Sequence, residues 1–128
     1  MRLPLSISAC ILLLTALIHA TMGWQEVIIP LIDAAPPATP LHTTLMAWHM
    51  LTVEFVALAL WLAWLAWRKE ALSKSSALFL CALLLGHALA SIVSGWMAFG
   101  NLTELPQWTL FVAASIPLLW VRRRWRQA

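Results

Sequence analysis

Four long apolar stretches, separated by short polar segments, organise the chain and cover residues 3–22, 44–67, 77–99 and 105–121. An α-helix rises about 1.5 Å per residue, so about 20 apolar residues cross a hydrocarbon core about 30 Å thick. The pattern therefore predicts an all-α membrane protein, in which a single domain over residues 1–128 forms a four-helix transmembrane bundle.

The segments between the stretches carry residues that end helices. Four prolines lie between the first two stretches: Pro30, Pro36, Pro37 and Pro40. Because proline interrupts a helix interior, we predict a loop over 23–43, outside the membrane, whose apolar first part lies in the membrane interface. Thr43 or Thr44 is expected to cap the start of the second span, and Pro117 is expected to kink the fourth.

Lysine and arginine residues all fall on one side of the predicted bundle. They are Arg2 before the first span, Arg68, Lys69 and Lys74 between the second and third, and Arg122, Arg123, Arg124 and Arg126 after the fourth. The segments 23–43 and 100–104 contain none. Since short loops rich in Lys and Arg stay in the cytoplasm, we predict a multi-pass plasma-membrane protein with both termini cytoplasmic. The basic run at 122–126 is then an anchor for lipid headgroups.

The composition excludes an ordinary water-soluble domain. Hydrophobic residues make up 62% of the chain and charged residues 10%, whereas soluble domains contain about 45–50% and about 25%. The segments outside the predicted spans are too short to form a soluble catalytic or nucleic-acid-binding domain. Chemistry is therefore expected within the lipid bilayer or at its surface, and no nucleic acid is expected as a partner.

Four histidine and glutamate side chains fall inside the predicted spans. Glu54 lies near the middle of the second span and His87 near the middle of the third, while His19 and His49 lie in the last turns of the first and the first turns of the second. An ionisable group at membrane depth costs about 2.5–3.5 kcal/mol on insertion scales, so each is a candidate functional residue. The predicted topology places all four in the outer half or the middle of the membrane.

Helical spacing indicates which of these side chains share a face. One stripe on the first helix comprises Ser8, Thr15, His19 and Glu26, and one on the third comprises His87, Ser91 and Ser94. Residues at such spacings lie above one another on a helix, and we expect both stripes to face the bundle interior. His49 and Glu54 are five residues apart, which is about 140° around a helix, so we expect them to face adjacent grooves. Whether the polar residues form one site or two stays open.

Several kinds of chemistry suit these residues. The candidate metal ligands are His19, Glu26, His49, Glu54 and His87. Together with the methionines at 22, 46, 50 and 97 they suit copper(I), whereas imidazoles with a carboxylate suit zinc or iron(II), and two histidines at matched depth suit a b-type haem. In an enzyme, Glu54 and His87 are the expected catalytic residues, exchanging protons with a lipophilic substrate.

The stretch His-Ala-Thr-Met-Gly-Trp-Gln-Glu at 19–26, followed by Trp48 and His49, resembles a pattern in small bacterial four-helix inner-membrane proteins that have no assigned activity. The resemblance covers about the first half of the chain and implies a bacterial inner-membrane location. The hypotheses for function are an intramembrane His/Glu site for a metal, haem or lipophilic ligand, an accessory subunit of a larger membrane complex, and a proton-coupled small transporter acting as a homo-oligomer.

Overall fold

Helices account for all the regular secondary structure between residues 2 and 124, the part of the chain that the computed structural model describes, with side chains described up to residue 120. They are α1 (Arg2–Ala20), a π-helical turn (Trp24–Ile28), α2 (Ile29–Asp33), α3 (Ala38–Arg68), α4 (Lys74–Phe99) and α5 (Trp108–Arg124). The prediction of an all-α protein is thereby confirmed.

Three of the described helical segments are long and apolar enough to cross a membrane. They are Arg2–Asp33 with 32 residues, Ala38–Arg68 with 31 and Lys74–Phe99 with 26. The fourth predicted span falls on α5, whose apolar part, Trp108–Trp120, is shorter. The described helices are thus compatible with a multi-pass membrane protein, as the apolar stretches predict.

The segment over 23–43 is mostly helical, so the prediction of a long loop there is wrong. The chain runs from α1 through the π-helical turn into α2, and only residues 34–37 separate α2 from α3. The positions of the prolines explain the difference: Pro30 lies at the start of α2, Pro37 directly precedes α3, and Pro40 lies in the first turn of α3. The N–H groups in the first turn of α3 have no partner within the helix, so Pro40 is tolerated there, whereas Pro30 follows the π-helical turn within the continuous helical run Arg2–Asp33.

Local interactions at the helix ends follow from single residues. Helix α3 begins before Thr43 and Thr44, so neither threonine caps it, and the Thr44 hydroxyl instead donates to the Pro40 carbonyl at 2.9 Å. The Ser73 side chain caps α4 by accepting a hydrogen bond from the Ser76 N–H at 3.1 Å. At the other end of α4, Gly100 has φ 67°, the left-handed conformation that glycine adopts readily.

Helices α1 and α5 each pack closely along two neighbouring helices. Helix α1 packs along both α3 and α5, and α4 packs along α5. Helix α5 is hydrogen-bonded to both of these neighbours: the Ser8 hydroxyl on α1 donates to the Ala114 carbonyl at 2.8 Å, and the Cys81 thiol on α4 donates to the Ser115 carbonyl at 3.8 Å. Both acceptors lie in the turn before Pro117, so donors from the neighbouring helices pair with backbone carbonyls close to the proline.

Packing is tightest towards one end of the bundle. We call this the basic end, because Arg2, Arg68, Lys69 and Lys74 lie there. The buried side chains of α3 all come from its second half: Phe55, Ala59, Leu62, Leu65 and Ala66. Residues 38–54 of α3 contribute none. The core therefore fills the half of the bundle nearest the basic end, and Phe55 marks its limit on α3.

Helices α3 and α4 lie next to each other without packing closely along their length, unlike the other neighbouring pairs of long helices. They meet through the side chains of Glu54 and Phe55 on α3 and His87 on α4. We call this seam, defined by those three residues, the α3–α4 groove. Two of the residues that the sequence singles out as functional candidates therefore lie where the bundle is least tightly closed.

Candidate functional site

Glu54 and His87 lie side by side across the α3–α4 groove. The His87 Nε2 atom is 3.8 Å from Glu54 Oε1, and both side chains are partly exposed, His87 by 21% and Glu54 by 34%. The Oε1 atom itself is buried and has no hydrogen-bond partner among the described residues. The structure thus brings together the two residues expected to be catalytic, at a distance slightly too long for a direct hydrogen bond.

The orientation of the His87 ring is set by its own helix. Its Nδ1 atom lies 2.9 Å from the Leu83 carbonyl, one turn earlier in α4. A carbonyl oxygen only accepts hydrogen bonds, so Nδ1 carries a proton and donates it, and the neutral ring presents its Nε2 lone pair to Glu54. An ionised Glu54 is also an acceptor. The pair therefore requires either a shared proton or a donor group placed between Nε2 and Oε1.

Two phenylalanine rings close the site towards the core. The Phe55 and Phe111 ring centres are 5.4 Å apart, and the His87 ring centre is 5.7 Å from Phe55 and 5.4 Å from Phe111. Phe55 is 2% exposed and Phe111 is 5% exposed, whereas His87 is not fully buried. These distances are typical of favourable aromatic contacts. The imidazole of His87 is consequently held on three sides by the Leu83 carbonyl and the two phenyl rings.

His19 belongs to a neighbouring aromatic stack. Its ring lies parallel to that of Trp48, with centres 3.7 Å apart, and its Nε2 is 3.3 Å from the Trp48 carbonyl. Phe55 links this stack to the Glu54–His87 pair, because its ring centre is 5.9 Å from that of His19 and 5.7 Å from that of His87. Gly23 makes room for Trp48, because a Cβ atom at Gly23 would lie 2.8 Å from two carbons of the indole ring.

The other proposed ligands lie apart from this pair. His49 is exposed and its nearest ring neighbour is Trp24, at 5.8 Å between centres. Glu26 is exposed on the π-helical turn. Of the stripe on α1, Ser8 and Thr15 are buried as expected, but both donate to backbone carbonyls. The predicted five-residue ligand set is therefore not gathered in one place.

The arrangement of the described residues does not suit a metal ion. No group of three or more His, Cys, Asp or Glu residues between positions 2 and 120 is arranged to hold one. The methionines considered as copper ligands face outward, with exposures from 53% for Met22 to 81% for Met97. The sequence does not predict these orientations, because the position of a residue along its helix does not determine which way its side chain points around the helix.

A b-type haem does not fit between the described histidines either. His19 and His87 each contact the ring of Phe55, at 5.9 and 5.7 Å between ring centres, so this phenyl ring packs against both imidazoles. In addition, the His19 ring is stacked on Trp48 and its Nε2 points to a backbone carbonyl. The donor set that remains is one imidazole nitrogen and one carboxyl oxygen, which suits proton exchange better than ligation.

The residues that shape the site but were not predicted are Phe55, Phe111 and Trp48. Trp48 and Phe55 are seven residues apart, which places both on the face of α3 that contacts His19. That spacing was available in the sequence, but in helices that are apolar all round it does not distinguish the inward face. Phe111 carries no such signal, since only the packing of α5 against α4 brings it to His87.

Comparisons of the chain with protein-family models, with curated proteins and with solved structures each returned no match. The chemistry of the site is accordingly inferred from its own residues and distances. Those are a buried carboxyl oxygen, an imidazole with a fixed tautomer, two phenyl rings beside them and a seam between helices that leads to them.

Proposed function

We propose that this protein binds a small lipophilic ligand from the bilayer through the Glu54–His87 pair and exchanges a proton with the polar group of that ligand. The observation that carries the proposal is the Glu54 Oε1 atom, which is buried and without a hydrogen-bond partner among the described residues, 3.8 Å from His87 Nε2. Buried polar atoms in folded proteins are nearly always hydrogen-bonded, so an exception in a pair of titratable groups favours a functional role.

The distance between the two atoms suits a single bridging donor. One oxygen or nitrogen atom can lie about 2.8 Å from both Oε1 and Nε2, a normal hydrogen-bond length. A primary amine has two N–H donors and can donate to both atoms, and a hydroxyl can donate its one hydrogen to Nε2 while it accepts from a protonated Glu54, whereas a ketone or an ether brings no proton to Nε2. The preferred ligand is therefore an alcohol, a phenol or an amine with an apolar tail.

The proton has a defined acceptor. Because Nδ1 of His87 already donates to the Leu83 carbonyl, the proton of a phenol or an ammonium ligand moves to Nε2, which leaves that hydrogen bond unchanged and the ligand as a phenolate or a neutral amine. The imidazolium that forms lies beside the Glu54 carboxylate, and the attraction between them is strengthened where water is excluded. Glu54 thus stabilises the charged ring, and the reverse transfer restores the neutral ring and the ligand.

Access is proposed to be sideways, from lipid. Helices α3 and α4 do not pack closely, and the pair between them is partly exposed, Glu54 by 34% and His87 by 21%. An apolar tail would remain in lipid beside the α3–α4 groove while its head group reaches Glu54. A lipophilic ligand needs no aqueous pathway to such a site.

The placement in the membrane is part of the proposal. We propose that α5 forms a fourth span: its 17 residues extend about 25 Å, slightly less than a hydrocarbon core about 30 Å thick. With four spans both termini lie on the same side, and the lysines and arginines place that side in the cytoplasm. The resemblance over 19–26 supports the inner membrane of a bacterium.

Reporter fusions test this placement. An enzyme reporter that works only in the cytoplasm should be active after residue 128 and inactive within residues 34–37, and a periplasmic reporter should show the opposite pattern. Equal activity of one reporter at both positions would rule out four spans with cytoplasmic termini. The proposed ligand site would then keep its residues, and only the depth of Glu54 in the membrane would have to be assigned again.

Photolabelling tests the ligand site. The probes are a long-chain alcohol with a diazirine in its tail and the methyl ether of the same molecule. We expect the alcohol to label the α3–α4 groove and Glu54→Gln to weaken labelling about 10- to 100-fold, since a hydrogen bond to a charged group contributes about 1.5–3 kcal/mol. The matched control is Glu26→Gln, which removes an exposed carboxylate. Equal labelling by the ether, or by the Glu54 variant, would contradict the proposal.

Proton exchange has its own readout in ¹⁵N NMR of labelled histidine. Addition of a phenolic probe, such as an alkylated phenol, should move the Nε2 resonance of His87 towards its protonated value. His19, whose ring is stacked on Trp48, is the internal control and should move little. A probe that labels the groove without moving the His87 resonance would leave binding intact and contradict acid–base chemistry.

A further inference from the structure

A cavity of about 490 Å³ lies at the basic end, away from the Glu54–His87 pair. It is lined by Arg2 and Leu3 at the start of α1 and by Lys69 and Glu70 directly after α3. Two of the four lining residues are cations, and they come from segments that are distant in the chain. The fold therefore concentrates positive charge on one concave surface.

The charges on this cavity do not cancel. Its acidic residue, Glu70, is already paired with Arg68, whose Nε atom lies 3.6 Å from Glu70 Oε1. Neither Arg2 nor Lys69 forms an ion pair with any described residue. The cavity thus presents two cations that are not neutralised, which is the charge that an anionic group needs.

The turn after α3 brings these side chains to α1. Lys69 ends α3 with φ 62°, a left-handed conformation that is uncommon for a residue with a Cβ atom. The turn is secured by the hydrogen bond from the Glu70 N–H to the Leu65 carbonyl at 3.0 Å and by Leu72, which is 2% exposed. Because both flanks are anchored, Lys69 is held close to Arg2.

We propose that this cavity binds the phosphate of an anionic phospholipid. Arginine presents a fork of N–H donors that matches a phosphate, and lysine adds a compact positive charge. Leu3, on the same cavity, is 65% exposed and apolar, so it can contact the glycerol and the first part of an acyl chain. Basic pockets of this kind at the cytoplasmic side of spanning helices bind lipid headgroups. The assignment rests on the membrane placement proposed above but not on the ligand of Glu54.

Native mass spectrometry of the detergent-solubilised protein tests the site. The protein is mixed with equal amounts of phosphatidylglycerol and phosphatidylcholine, and the retained lipid is counted. We expect selective retention of phosphatidylglycerol, weakened about fivefold by Lys69→Gln and about 25-fold by Arg2→Gln with Lys69→Gln. Lys74→Gln removes a cation at the same end that does not line the cavity, so it should change retention little.

Several results would overturn the assignment. Loss in the Lys74 variant equal to that in the Lys69 variant would indicate a diffuse positive surface, and equal retention of phosphatidylcholine would exclude recognition of a net anion. Displacement of the lipid by millimolar inorganic phosphate would show a site for free phosphate. Lys69→Arg keeps the charge and should retain phosphatidylglycerol as the parent protein does. Weaker retention in Lys69→Gln would then be due to the lost charge and not to misfolding. Glu54→Gln should retain phosphatidylglycerol, so failure of the ligand proposal is distinguishable from failure here.

Discussion

Replacing Gly23 with alanine tests whether Trp48 is held against α1. The new Cβ atom would lie 2.8 Å from Cη2 and Cζ2 of the Trp48 ring. Carbon atoms attract each other best about 3.5–4.0 Å apart, so the ring or the helix must shift by about 0.7 Å or more. The face of the ring is stacked on His19 with 3.7 Å between centres, so the shift disturbs that stack as well.

The magnitude follows from two opposing effects. Overpacking of a well-packed contact costs about 1–3 kcal/mol, whereas replacing a helical glycine with alanine contributes up to about 1 kcal/mol of stability. Gly86 on α4 is the matched control, because no described atom lies within 4 Å of a Cβ added there. We expect Gly86→Ala to be as stable as the parent or more stable, and Gly23→Ala to be about 1–3 kcal/mol less stable than Gly86→Ala.

The assay is unfolding by sodium dodecyl sulfate in mixed micelles, followed by circular dichroism, with free energies of unfolding compared between the two variants. A second readout is the His19 side-chain resonance, which should move in Gly23→Ala as the indole ring shifts. Equal stability of the two alanine variants, together with an unchanged His19 resonance, would refute the contact between Trp48 and the α1 surface.

The same unfolding assay checks the packing of the other helices. Ser8→Ala removes the hydrogen bond to the Ala114 carbonyl and should destabilise the protein by about 0.6 kcal/mol and at most about 1.7 kcal/mol; Ser94→Ala, at an exposed position, should have no effect, and equal effects would exclude a contribution from this bond. Leu84→Ala removes a side chain that is 0% exposed and should cost at least about 2 kcal/mol, the lower end of the range for buried leucines. Leu85→Ala, at a position 44% exposed, is its control, and a cost as large as that of Leu84→Ala would contradict the assigned inward face of α4.

The helices could be predicted because long apolar stretches can be recognised in the sequence itself. The stretch 77–99 corresponds to α4, Lys74–Phe99, and the stretch 44–67 lies within α3, Ala38–Arg68. The segment over 23–43 could not be predicted by treating prolines as breaks alone. Pro40 lies in the first turn of α3, where a missing N–H leaves no helical bond unmade, and Pro30 follows a π-helical turn inside a continuous helical run, so the outcome depended on where each proline falls and not on composition.

The sequence predicts how far along its helix each candidate residue lies, but not which way its side chain points around the helix axis. Glu54 and His87 were expected near the middle of two spans, and the structure brings them to 3.8 Å. Helical spacing predicted that His19 also faces the bundle interior as a candidate site residue, yet its ring is stacked on Trp48. Phe55 contacts both His19 and His87. In helices that are apolar on all sides, the orientation around the helix axis is decided by packing between helices, which a single sequence does not display.

A purely structural role for Glu54 does not account for its position. An ionisable side chain at the centre of a spanning helix costs about 2.5–3.5 kcal/mol, whereas a hydrogen bond between membrane helices contributes about 0.6 kcal/mol on average. The 3.8 Å separation from His87 leaves even that bond unmade. If Glu54 served only to join α3 to α4, an apolar side chain packed between the two helices would do so at lower cost. The carboxyl lies instead at the seam where the helices are least tightly packed, 3.8 Å from an imidazole nitrogen, and the proton exchange with a bound ligand that we propose would use both features.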